Sequence, residues 1–75
     1  MEEKVVYRVF DVDAEEASET LAIALTETDA IRLAKEAANH YESVGDSGEI
    51  MVQSIPIGEL NTSPYEIVFA IEFGV

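Results

Sequence analysis

TETDAIRLAKEAANHYESVG, residues Thr26 to Gly45, is the stretch whose pattern decides how this chain folds. At about 100° per residue, Ala30, Ile31, Leu33, Ala34, Ala37, Ala38 and Tyr41 fall within an arc of about 160°. Arg32, Lys35, Glu36, Asn39, Glu42 and Ser43 take the opposite side. The pattern predicts one amphipathic helix running from Thr26 to about Val44. Thr26 and Asp29 have the spacing of a capping box, and Glu27 and Asp29 put negative charge where the helix dipole favours it. Gly45 can take the left-handed conformation that ends a helix. Ala30, Ala34, Ala37 and Ala38 allow close approach to a flat partner, most simply a β-sheet.

The flanking segments supply that sheet. Val5 to Val12 is rich in β-branched and aromatic residues and reads as a strand. Val5, Tyr7 and Val9 share one of its faces, and Val6, Arg8 and Phe10 the other. Thr20 to Thr26 admits two patterns. Leu21, Ile23 and Leu25 alternate with Ala22 and Ala24 as in a strand, whereas Ala14, Ala17, Leu21, Ala24 and Leu25 would line a second helix capped by Asp13 and Glu16. The strand is preferred, because a second helix would leave the first strand without a sequential partner.

Beyond the helix, Gly45-Asp46-Ser47-Gly48 is a turn cluster, and Glu49 to Ile57 is a third strand. Ile50 and Val52 lie on one face of it; Met51, Gln53, Ile55 and Ile57 lie on the other. Pro56 cannot donate to a ladder, so this strand sits at a sheet edge or ends there. Tyr65 to Phe73 alternates most cleanly, with Tyr65, Ile67, Phe69, Ile71 and Phe73 opposed to Glu66, Val68, Ala70 and Glu72.

The expected fold is a single α+β domain over residues 1–75, an antiparallel sheet with one covering helix in the order β-β-α-β-β. Its expected core is Leu21, Ile23, Leu25, Ile31, Leu33, Tyr41, Ile67, Phe69 and Ile71 with one face of the first strand. One helix cannot cover both sheet faces. The second face would carry Val68, Ala70, Met51, Ile55 and either Val6 with Phe10 or Val5 with Val9, a candidate interface for a homodimer.

Charge is the compositional outlier: sixteen acids against four bases give −12 in 75 residues. Affinity for phosphates rests on lysine and arginine, so direct binding of nucleic acid or anionic membranes is not expected. A basic protein surface would be attracted. The chain has no cysteine, which removes disulfides and thiolate metal sites. Met1-Glu2-Glu3-Lys4 does not resemble a signal peptide, and no apolar run approaches the ~18 residues of a membrane span. A cytoplasmic, soluble protein is expected.

Five carboxylates, Asp11, Asp13, Glu15, Glu16 and Glu19, crowd into nine residues without a base. Asp11 and Asp13 begin like a calcium loop, but Glu16 stands where the sharp turn wants glycine and Ala22 where the bidentate glutamate belongs. No metal or other cofactor is therefore expected. Catalysis finds equally little support. His40 is the sole histidine, at the border of the apolar arc. Ser43, Ser47, Ser54 and Ser63 lie in no nucleophile-elbow pattern. Gly45 and Gly48 lack the lysine of a phosphate-binding loop. A non-enzymatic protein is the expectation.

The junction Ala24-Leu25-Thr26-Glu27-Thr28-Asp29-Ala30-Ile31-Arg32-Leu33-Ala34, together with small size, acidity and element order, resembles small phage-encoded inhibitors of host defence such as anti-CRISPR proteins. That resemblance implies binding to a host nuclease complex, with acidic side chains occupying a basic nucleic-acid channel. It carries over no residue roles, since these inhibitors share no common motif. The residues expected to meet the partner are Asp11, Asp13, Glu15, Glu16 and Glu19, helped by Glu42, Asp46 and Glu49. Two other expectations stand beside it: an assembly module that dimerises through the uncovered sheet face, and a salt-adapted domain that is acidic for solvation alone.

Overall fold

Val9 has no exposed surface, and its neighbours explain the fold. It stands opposite Val52 on one side and Ala22 on the other, and it shares a buried cluster with Ala30, Ala34 and Ala38 of the helix. In the computed structural model, which describes residues 5–12, 19–58 and 66–74, the chain forms β1 (Val5–Val12), β2 (Glu19–Ala24), α1 (Glu27–Ser43), β3 (Gly48–Pro56) and β4 (Ile67–Phe73). The four strands make one antiparallel sheet in the spatial order β2-β1-β3-β4, and α1 packs against one face of it. This is an α+β fold of two layers.

The helix forms as its pattern predicts. Thr26 is extended (φ −130°, ψ 152°), and its side chain accepts a hydrogen bond from the Asp29 amide at 3.2 Å. At the other end Gly45 (φ +88°) donates to the Glu42 carbonyl, and Asp46 donates to the Tyr41 carbonyl. This pair of bonds is a Schellman ending, which satisfies carbonyls that the helix leaves open. Ala30, Ala34 and Ala38 are buried at 0–4% exposure, so backbone and sheet approach closely along this stripe. Leu33, Ala37 and Tyr41 flank it, and Tyr41 stacks on Phe73 with ring centroids 5.6 Å apart.

Several expectations need correction. In β2 the residues facing the helix are Ala22 and Ala24, paired with Val9 and Tyr7. Ile23 and Leu25 are exposed at 55% and 78% instead of lying in the core. The alternation of β2 turns Ala22 and Ala24 toward the helix and Ile23 away from it. Leu21 still packs against the core, because it is the extra residue of a bulge between the Val9–Ala22 and Phe10–Thr20 pairs.

A second bulge, at Val68 in β4, does the same on the other edge of the sheet. Val68 therefore packs against the core and not on the uncovered face, while Ile67 is exposed at 41%. Ile31 is half-buried. Pro56 marks the end of β3, and the edge alternative fails: β3 is an inner strand between β1 and β4. The β4 strand begins at Ile67, two residues later than its alternation suggested, and Tyr65 lies outside the described residues.

Candidate functional site

Register brings the acidic positions to one end of the sheet. Asp11, near the end of β1, pairs with Glu19 at the start of β2. Val12, the last residue of β1, pairs with Glu49 near the start of β3, and Glu49 pairs in turn with Glu72 near the end of β4. The helix ends at this same edge, because the turn through Gly45 and Asp46 leads directly into β3. Glu42 fastens the two layers here: its carboxylate accepts the Gly74 amide at 3.0 Å. Glu42, Asp46 and Glu72 are exposed, and Asp11 and Glu49 are half-buried.

The described bases lie elsewhere. Arg8 sits mid-sheet, in register with Ile23 and Gln53. Arg32 pairs with Glu36 at 2.7 Å and Asp29 at 3.9 Å on the outer face of α1. Lys35 lies 6.0 Å from the centroid of the Phe69 ring. Among the described residues, the end that holds Asp11, Glu19, Glu42, Asp46, Glu49 and Glu72 therefore carries no lysine or arginine. The nearby His40 is exposed on the last helical turn, edge-on to Tyr41.

This arrangement suits docking better than chemistry. Exposed carboxylates accept hydrogen bonds from guanidinium and ammonium groups, and several of one sign build a field that a lone surface pair cannot. Among the described residues no three His, Cys, Asp or Glu side chains are placed to hold a metal ion. Ser43 turns its hydroxyl to the His40 backbone carbonyl at 2.6 Å and not to the imidazole. No described helix is long and apolar enough to cross a membrane.

Of the eight acids singled out in the sequence, the fold gathers Asp11, Glu19, Glu42, Asp46 and Glu49. Asp13, Glu15 and Glu16 lie outside the described residues. Glu72 joins the group without having been expected there. Its alternation in β4 was visible, but only the pairing with β3 places it beside Glu49. Comparison with protein-family models, with curated proteins and with solved structures finds no match to this chain.

Proposed function

We propose that the chain is a non-enzymatic binding protein whose acidic end occupies a basic, nucleic-acid-binding surface of a protein partner. The observation that supports this reading is the convergence of five strand and helix ends on one edge that carries acids and, among the described residues, no lysine or arginine. Carboxylates there would take the places of phosphates on the partner's arginines and lysines. Opposite charge would raise the encounter rate and set the register of docking. An inhibitor of a nuclease complex, of the phage anti-defence kind that the sequence resembles, is the specific form of this proposal.

Capture from host lysate tests it, with and without nuclease treatment. Retention of a basic nucleic-acid-binding protein, increased once nucleic acid is digested, is the expected outcome. Retention of no basic protein in either sample would remove the proposal.

A further inference from the structure

β4 is the last strand on its side of the sheet and pairs only with β3. Its outer edge therefore presents backbone N–H and C=O groups that bond to no described residue. Such an edge is a template for another strand, and proteins commonly guard it with lysine, proline or a bulge. β4 contains no lysine or proline. Its bulge at Val68 leaves Phe69 to Phe73 in unbroken register with Val52 to Gly48, a run of five pairs. At the opposite edge, the bulge at Leu21 divides β2 into runs of three and two pairs. The longer regular edge belongs to β4.

The side chains along this edge specify what suits it. Ala70 and Glu72 stand on the face away from the helix and are exposed. Glu72 is directly opposite Glu49, and neither carboxylate meets a base among the described residues. On the helix face, Phe69 and Ile71 pack against the core yet stay half-buried, because no strand lies beyond them. A second copy of the chain is disfavoured here by its net charge of −12.

We propose that the outer edge of β4 binds an extended segment of a basic protein partner, which adds to the sheet as a further strand. Side chains of the added strand alternate between the two faces, so basic residues lie beside Glu72 and apolar residues beside Phe69 and Ile71. The basic residue offsets the Glu49–Glu72 repulsion, and the apolar ones complete the cover of the half-buried pair. Backbone hydrogen bonds supply affinity, and the alternate side chains supply selectivity. This proposal rests on the reading of the chain as a binder of basic proteins, and it places part of that contact on β4.

The probe is a peptide of about nine residues, alternating lysine and valine with both ends blocked, added to the full chain at about 0.15 M salt. A second peptide of the same sequence is N-methylated at every residue, which removes the backbone donors and keeps the charge. The first peptide should slow amide hydrogen exchange within Phe69 to Phe73 and bind at least about tenfold more tightly than the second. Glu72→Lys should weaken its binding by at least about tenfold, whereas Glu36→Lys, the same charge change on the outer face of α1, should alter it by less than about twofold. Circular dichroism checks the fold of both variants, and the comparison of peptides needs neither. Equal affinities for the two peptides overturn edge pairing while leaving charge-driven docking in place, so the two readings fail separately. Slowed exchange elsewhere in the sheet with none in β4 also overturns the proposal. So does an unmethylated peptide that fails to bind up to about 1 mM.

Discussion

Glu49 stands directly opposite Glu72 across the β3–β4 pair, at a position where opposite charges would stabilise the sheet. Like charges directly opposite each other destabilise a sheet, and both residues lie on the face away from the helix. A cost borne at the surface is consistent with a role for these carboxylates in meeting a partner.

Glu72→Lys should therefore stabilise the isolated protein. Replacing a like-charge pair by an opposite one is worth about 0.2–1 kcal/mol. For a domain of this size, that raises the melting temperature by roughly 1–8 °C. The gain should shrink as sodium chloride goes from about 0.01 to 0.5 M, because the Debye length falls from about 30 Å to a few ångströms. Unmodified protein should gain stability over the same range, its net charge of −12 being screened. A lower melting temperature for Glu72→Lys at low salt would show that the pair is neutralised in the monomer.

Residues 26–45 made the helix legible because every signal in that stretch agrees: cap, arc, alanine stripe and terminal glycine. β1 was equally clear, with the boundaries Val5 and Val12 found in the structure. What could not be read was set by contacts distant in the chain. The bulges at Leu21 and Val68 each change which side chains face the helix, and a bulge has no signature in a run such as Leu21 to Leu25. Large residues were assigned to the core of β2 by their hydrophobicity, whereas its alternation turns Ala22 and Ala24 toward the helix. Register was likewise hidden, because the bulge at Val68 shifts the β3–β4 pairing that sets Glu72 beside Glu49. The acids at 11, 19, 42, 46 and 49 were visible as acids, but only pairing places them at one end.

Thr26→Ala should destabilise the protein by about 1 kcal/mol, because the Asp29 amide loses its side-chain acceptor. Thr26→Ser and Thr26→Asp should retain most of the stability. Chemical denaturation of the three variants checks the order. Equal midpoints for Thr26→Ala and unmodified protein would mean that water replaces the cap without loss.

Ala34→Leu tests the close helix–sheet contact. Ala34 has no exposed surface and lies at the centre of the buried stripe. Extra methylenes there should cost about 1–3 kcal/mol through displaced packing. The same change at Asn39, on the exposed side, should stay within about 0.5 kcal/mol. Similar effects at the two positions would contradict the two-layer packing.

The central claim is that the acidic end binds a basic surface in competition with nucleic acid. Its most direct measurement is the affinity of the captured partner for unmodified protein and for the double variant Asp46→Lys with Glu72→Lys, across about 0.05–0.5 M salt. Both positions are exposed, so circular dichroism should show an intact fold. Binding should weaken steeply with salt, be displaced by added nucleic acid, and fall at least tenfold in the double variant. Equal affinity in a folded double variant, with no displacement by nucleic acid, would contradict the claim.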